Sequence, residues 1–378
     1  MRILLLAHGF NSLTQRLHVE LRARGDEVSV EFDIHDRVTE DAVERFRPDL
    51  IVAPFLKRAI PESVWRRVRC LVVHPGIRGD RGPSSLDWAV QEREANWGVT
   101  LIQANGELDA GDVWGSVDFP MRAATKSSLY RNEVSEAALR LVLEAIEQAN
   151  DPWFRPEPLD YANPAIRGRQ RPAMRQGDRR IDWRSDTSET VLARIRAADG
   201  TPGVLDELYG EPYYLFDAHA EHALRGGAPG EVIARRDGAI LRATIDGAVW
   251  IGHLKQVAEQ ATLKLPATIV LGAHLEGVAE RPLALHDEGE VRSYRELRYR
   301  ESNGVGALEF PFYNGAMGTD QCRRLARALR YARSRPIRVL ALMGGPDFWS
   351  NGIHLGLIEA KHFFIERLVS NIDRCNFH

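Results

Sequence analysis

His74 stands where a catalytic acid or base would. It closes the apolar run at 70–73 and opens a tight loop, Pro75-Gly76-Ile77-Arg78-Gly79-Asp80-Arg81-Gly82-Pro83. An imidazole at the carboxyl end of a buried strand, ahead of a glycine-rich turn, can give or take a proton in a cleft. It can equally do no more than tie down its own loop, and local pattern does not separate the two. A second group follows the apolar run 99–102, in Leu108-Asp109-Ala110-Gly111-Asp112. There Asp109 could orient, or pair its charge with, a histidine on a neighbouring strand end. Asp-x-Gly is also ordinary turn chemistry, and taken alone the pattern favours the turn. His219 and His222 have no cysteine or third ligand beside them, so they read as a helix surface and no metal site is assigned.

To bring His74 and Asp109 together, strand ends must lie side by side. The short apolar runs at 2–7, 28–32, 50–52, 70–73 and 99–102, with polar helical stretches such as 39–46 between some of them, read as βαβ units on a parallel sheet, an α/β fold. Ligands in such sheets sit at the carboxyl ends of the strands. Asn11 and Ser12, just past the first strand, are therefore candidates to touch a bound cofactor. Both are also good caps for a helix carrying Leu13, Leu17 and Leu21, and Ser12 reads as the cap. No Gly-x-Gly-x-x-Gly follows the first strand and no phosphate-loop motif occurs.

The rest of the chain changes character twice. Pro152, Pro156, Pro158, Pro164 and Pro172, with Arg167, Arg169, Arg171, Arg175, Arg179 and Arg180, read as a surface linker. A helix over 188–197 follows, then segments at 213–216, 230–234, 239–244 and 249–254 with hairpin turns at Asp237-Gly238 and Asp246-Gly247, which predict a small antiparallel sheet or barrel. From about 307 the pattern resets to strand, amphipathic helix (319–332) and strand (337–343). The boundaries that result are 1–155, a linker over 156–185, a barrel-like part over 186–275, a connector over 276–304, an α/β piece over 305–360 and a tail over 361–378.

Composition narrows the function classes. A chain of 378 residues that is 44% hydrophobic and 27% charged suits about two or three globular domains. Fifty Lys and Arg against 53 Asp and Glu leave a formal charge of −3, without the whole-chain basic excess that wraps a nucleic-acid backbone. Cys70, Cys322 and Cys375 are too few and too scattered for a disulfide framework, which points to a reducing cytoplasm. The opening apolar run is far short of the roughly 18 residues a membrane span needs.

The two candidate groups together resemble the 10-formyltetrahydrofolate-dependent formyltransferases, a likeness that covers residues 1 to about 260. It is carried by His74-Pro75 with its Arg-Gly loop, Leu108-Asp109-Ala110-Gly111-Asp112, Arg180-Ile181-Asp182-Trp183, Arg194-Ile195-Arg196-Ala197-Ala198 and Asp246-Gly247-Ala248-Val249-Trp250-Ile251. The resemblance implies that His74 and Asp109 manage the tetrahedral intermediate as formyl leaves the folate nitrogen. The family places an Asn two positions before the histidine, where this chain has Val72. Losing one such donor typically costs about 2.7–4 kcal/mol of transition-state stabilisation.

Farther on, Asn314-Gly315-Ala316-Met317, the strand ending in Met343-Gly344-Gly345 and Phe348-Trp349-Ser350-Asn351-Gly352-Ile353-His354-Leu355 resemble the opening of a crotonase domain. By that likeness, Gly352 and the Ile353 N–H form half of an oxyanion site. A formyltransferase joined to a crotonase is similar to the HypX family of hydrogenase maturation factors. That implies formyl transfer from 10-formyltetrahydrofolate to coenzyme A, then release of carbon monoxide for a nickel–iron hydrogenase. Hydrogenase maturation proteins become expected partners beside the small-molecule substrates, with no membrane and no nucleic acid. Arg131 and Arg196 are candidates for the cofactor's phosphates, against the plain reading of each as a solvated surface arginine. The chain reads as cut short within the crotonase part, so residues from 305 onward are expected to be loosely packed or docked on the first half. Formyl transfer is expected to survive and carbon monoxide release to be lost. Two other readings stay open: a methionyl-tRNA formyltransferase, supported by the barrel half and the Arg-rich linker, and a non-catalytic accessory that binds folate or coenzyme A.

Overall fold

A computed structural model describes residues 1–260, 262–286 and 292–360, so the tail over 361–378 and Cys375 lie outside the described residues. The chain divides into two units, Met1–Arg175 and Gln176–His378.

In the first unit the strands are β1 (Arg2–Ala7), β2 (Glu27–Phe32), β3 (Leu50–Phe55), β4 (Cys70–His74), β5 (Asn96–Gln103) and β6 (Val113–Pro120). Its helices are α1 (Ser12–Ala23), α2 (Asp36–Phe46), α3 (Glu62–Trp65), α4 (Ser85–Gln91), α5 (Lys126–Leu129) and α6 (Ser135–Asn150), with a π-helical turn, Tyr130–Val134, ahead of α6. The sheet order is β2-β1-β3-β4-β5-β6. β1 is a continuous apolar run because it is buried on both faces, with Leu4 and Leu6 packed among Val43, Ile51, Ala53 and Cys70. Leu13, Leu17 and Leu21, four apart, put one buried stripe on α1, which packs on α6.

The expected parallel sheet holds from β2 to β4; β5 and β6 run antiparallel. From Gly115 onward β6 alternates half-buried and exposed, as an edge strand with one wet face does. Since β1, β3 and β4 point the same way, Asn11, Phe55 and His74 emerge at one edge of the sheet.

Residues 165–171 do not behave as a free linker. Gly168 N donates to the Arg78 carbonyl, Arg81 N to that of Arg169 and Arg171 N to that of Arg81, so the segment straps the loop after β4. Arg171 is buried here, and so is Arg179 in the second unit. Burial follows partners, and an arginine in a Pro-rich stretch shows none until the loop it clamps is in place.

The second unit has α7 (Gln176–Arg179), α8 (Ser188–Ala198) and the strands β7 (Val204–Leu208), β8 (Glu211–Glu221), β9 (Val232–Arg236), β10 (Ala239–Ala243), β11 (Ala248–Gln256) and β12 (Leu265–Pro266), followed by α9 (Ala267–Leu271). The sheet is antiparallel in the order β7-β8-β11-β10-β9, with β12 beside β11. Val191 and Ile195 of α8 pack onto Leu215, Ile240, Val249, Ile251 and Leu254. Asp237 and Gly238 turn the β9–β10 hairpin with φ of 48° and 88°, the left-handed pair such a tight turn requires. At the next hairpin Asp246 instead takes hydrogen bonds from the Ser188 N–H and hydroxyl. His219 lies in β8, not on a helix, and bonds to Asp217 two residues before it. The polar letters of Asp217-Ala218-His219 hid a strand whose polar side chains have buried partners.

Of the two outcomes expected beyond 305, loose packing does not hold for the described residues 298–360, which have a core of their own. β13 (Arg298–Ser302) pairs antiparallel with β14 (Val305–Glu309), which pairs in parallel with β16 (Val339–Met343). Tyr299, Leu308, Phe310 and Phe312 form a core with Leu325, Ala328 and Ala332 of α10 (Thr319–Arg333). The strand that completes this sheet comes from the stretch read as a connector, where Tyr299 is the one apolar residue in Arg-Tyr-Arg-Glu-Ser. β15 (Ala316–Met317) and β17 (Gly352–Ile353) pair in parallel, and α11 (Leu355–Glu359) follows.

Candidate active site

β4 delivers His74 with its ring 4% exposed, between two carboxylates. Nε2 lies 3.1 Å from Asp80 Oδ2, and Nδ1 lies 3.6 Å from Asp109 Oδ1. The two partners differ: the Asp80 side chain is fully buried, whereas that of Asp109 is 20% exposed and marks the open side of the site.

The loop after His74 is built around its backbone oxygens. Trp97 Nε1 donates to the Pro75 carbonyl at 2.9 Å, and Thr100 Oγ1 to the Gly76 carbonyl at 2.9 Å. A side chain at Gly76 would place a carbon 2.5 Å from His74 Nε2 and 2.7 Å from Asp80 Oδ2, so only glycine lets the two meet. Asp80 Oδ1 accepts from Arg171 Nε at 2.9 Å, and the Ser85 hydroxyl at the start of α4 also donates to Asp80. Arg171 in turn reaches Glu92 at 2.5 Å and lies over the Trp97 ring. Burial would lower the Arg171 pKa, but Glu92 and Asp80 outweigh it and hold the guanidinium above its usual value.

Asp109 is held from the other side. Its φ is 53°, a left-handed turn that aims the carboxylate back at β4, and its Oδ2 accepts the Gly82 N–H at 3.1 Å. Arg81 clamps the neighbouring Leu108 carbonyl at 2.9 Å and pairs with Glu107. Gly111 is required by a close approach, since a Cβ there would lie 1.8 Å from the Gln103 carbonyl oxygen at the end of β5. Val72, two residues before His74, packs into the hydrophobic core and offers no hydrogen bond.

Asn11, not Ser12, caps α1: its Oδ1 accepts the Thr14 N–H at 3.0 Å, while Ser12 is the exposed first residue of the helix. The Asn11 amide also donates to the Tyr130 hydroxyl at 3.2 Å, which bonds the Pro54 carbonyl at the end of β3. Burial pushes Tyr130 up to about 12, so it stays a neutral hydrogen-bonding group. Arg131 follows it in the π-helical turn, half-buried. His8 at the same edge pairs with buried Asp33 at 2.8 Å.

The structure therefore brings together His74 and Asp109, the pair read from the sequence, and surrounds them with Asp80, Ser85 and Arg171, which that reading misses. Asp80 was visible in the loop as a turn residue. Arg171 is 91 positions away from it and looks like every other arginine in its run. The remaining candidates belong to the second unit. Arg196 on α8 is half-buried and its pKa is lowered by burial, which departs from a solvated surface arginine. Gly352 takes a left-handed φ of 78° beside Ile353 in the short pairing with β15. Among the described residues no cluster of three or more metal-ligating side chains occurs, and no helix is long and apolar enough to cross a membrane.

Residues 31–146 match the family described as Formyl transferase, and residues 173–265 match Formyl transferase, C-terminal domain. The hydrogenase maturation factor HoxX of Bradyrhizobium diazoefficiens is 54% identical over 373 residues, 99% of this chain and 64% of that protein. The chain belongs to the formyl transferase family. A crystal structure of HypX from Aquifex aeolicus, in complex with tetrahydrofolic acid, superposes with a TM-score of 0.90 at 47% identity, over 95% of this chain and 62% of that one. This formyl transferase thus spans somewhat under two thirds of the length of either hydrogenase maturation factor. A methionyl-tRNA formyltransferase from Bacillus licheniformis is 24% identical over 64% of the chain. His74, Asp80 and Asp109 lie inside the first matched stretch and Arg196 inside the second, whereas Asn11, Ser12, Gly352 and Ile353 lie outside both.

Proposed function

We propose that the chain transfers formyl from 10-formyltetrahydrofolate to the thiol of coenzyme A, giving formyl-CoA for the carbon monoxide ligand of a nickel–iron hydrogenase. The observation that carries this reading is the His74 imidazole held between Asp80 and Asp109 at the carboxyl edge of the sheet. The thiol sulfur attacks the formyl carbon, and its proton passes to the free ring nitrogen of His74. The imidazolium that results is stabilised by Asp109, and its proton then goes to the folate nitrogen as the carbon–nitrogen bond breaks. Sulfur gains the formyl group, nitrogen gains the hydrogen, and no redox partner is needed.

Residues 1–155 would hold the folate and the transfer chemistry. Asn11, Ser12 and Arg131 lie in the same unit and are proposed to contact the bound substrates. Arg196, in the barrel-like part over 186–275, would meet a phosphate of coenzyme A. Gly352 and Ile353 would supply one N–H of a crotonase-like oxyanion site over 305–360. The likeness to HoxX and HypX supports a role in hydrogenase maturation, and maturation proteins of the hydrogenase are the proposed partners.

A tRNA acceptor is favoured by the relation to methionyl-tRNA formyltransferase. Against it, the Arg-rich run is largely engaged: Arg167 pairs with Asp118, Arg169 with Glu92, and Arg171 is buried on Asp80. The test is incubation with 10-formyltetrahydrofolate and either coenzyme A or initiator methionyl-tRNA, following tetrahydrofolate, formylated acceptor and carbon monoxide. Formyl-CoA formed at matched tetrahydrofolate release supports the proposal; formylation of tRNA alone, or of neither acceptor, overturns it.

A further inference from the structure

We infer that Asp80 is a positioning residue for His74, deciding which imidazole nitrogen carries the proton and so which one works. The inference rests on the formyl-transfer reading above and adds a residue outside the His74–Asp109 pair.

The argument is one of donors and acceptors. Asp80 has no solvent contact, and its oxygens already accept from Arg171 Nε and from the Ser85 hydroxyl. A carboxylate facing a guanidinium is an acceptor only. The ring atom 3.1 Å from it, His74 Nε2, must therefore be the N–H. That leaves the lone pair on Nδ1, 3.6 Å from Asp109 Oδ1 and too far for a hydrogen bond. Nδ1 faces the half-open side of the site, and a proton that arrives there finds Asp109 ready to accept from it. One carboxylate fixes the tautomer and the other meets the charge.

The surroundings are organised for that division. Arg171 hands the far side of its guanidinium to Glu92 and approaches Glu94 at 3.8 Å, so the group behind Asp80 is itself anchored. On the Asp109 side, Arg81 is paired with Glu107 and donates from both Nε and Nη2 to the Leu108 carbonyl. Gly76 leaves room for the Asp80–His74 contact, as its missing Cβ shows. Asp80 also gives the fold a polar anchor for His74 at a place where Val72 offers none.

The decisive variant is Asp80→Asn. It keeps size and the Arg171 contact through its carbonyl oxygen, and so turns an N–H toward His74 Nε2, which pushes the ring proton to Nδ1. Nitrogen-15 imidazole spectra, with His74 assigned by its loss in His74→Gln, should show the neutral ring protonated on Nε2 in the native chain and on Nδ1 in D80N. The turnover rate should fall about 10²- to 10⁴-fold, the scale seen when a catalytic histidine is held in the wrong tautomer, while KM for the folate stays within about twofold. If D80N does not fold, Gly76→Ala tests the same contact without deleting a polar group, and should lower turnover at least about tenfold with the tautomer preference lost. An unchanged tautomer in D80N, or native turnover in G76A, overturns the role of Asp80. If H74Q itself still transfers formyl, it is the underlying reading of the site that fails; if H74Q is inactive and D80N is native-like, only the inference about Asp80 fails.

Discussion

The two units contain inverted versions of one cluster. In the first, a histidine lies between two carboxylates, with Asp80 in contact and Asp109 held back at 3.6 Å. In the second, a carboxylate lies between two histidines: Asp217 receives His219 at 2.7 Å and His253 at 2.9 Å, while its own N–H goes to Asp199. The same residue types give opposite results because of what each leaves unused. Around Asp217 both oxygens and the amide are engaged at close range, and a Cβ at Gly252 would strike it at 2.0 Å. Around His74 one ring nitrogen and one partly exposed carboxylate face each other without a bond. In the function proposed above, the saturated cluster serves stability and the unsaturated one chemistry.

That contrast breaks most readily at its centre. His74→Gln should cut formyl transfer by about 10²- to 10⁴-fold in steady-state assays, with the folded baseline by circular dichroism unchanged. Asp217→Asn should do the reverse, lowering the denaturant-derived stability by about 1–3 kcal/mol because the buried carboxylate that holds both histidines is lost, with turnover of the folded fraction retained. Burial would raise the Asp217 pKa, but His219 and His253 outweigh it and hold it below the usual carboxylate range. Its contribution is therefore complete above the unfolded-state value of about 3.9 and fades as pH falls below it. Equilibrium unfolding of native and D217N chains from pH 7 to pH 3 should show the gap between them narrowing at the acid end.

Smaller effects sharpen the comparison. Arg171→Lys keeps the charge but cannot hold Asp80 and Glu92 with one planar fork, so a loss of about 1–3 kcal/mol in thermal or denaturant stability is expected, together with slower turnover. Asn11→Ala removes the helix cap and should cost about 1 kcal/mol, whereas Ser12→Ala should stay within about 0.5 kcal/mol. Equal losses from the two would contradict the capping assignment.

How much of this was legible in the sequence depends on whether a feature is local. β1, β3 and β4 could be read because strands buried on both faces spell unbroken apolar runs, and His74 and Asp109 because each terminates such a run or its turn. β5 and β6 carry the same composition whichever way they run, so the antiparallel pairing of β5 with both its neighbours is not legible in it. Asp80 and Arg171 meet across 91 residues, and neither shows a periodicity that points to the other. Tyr299 and His219 each sit in a strand whose polar neighbours masked it, since their partners are supplied by the fold. Val72 in place of the expected amide is visible in the sequence alone, but the carboxylate that anchors His74 from the following loop becomes visible only in the fold.

The central claim is that the His74 cluster performs formyl transfer, and single-turnover release of tetrahydrofolate from 10-formyltetrahydrofolate in the presence of coenzyme A tests it most directly. Native chain should release tetrahydrofolate and formyl-CoA in equal amounts, and H74Q, folded to the same extent, should release neither on that timescale. Release at the native rate by H74Q would contradict the account.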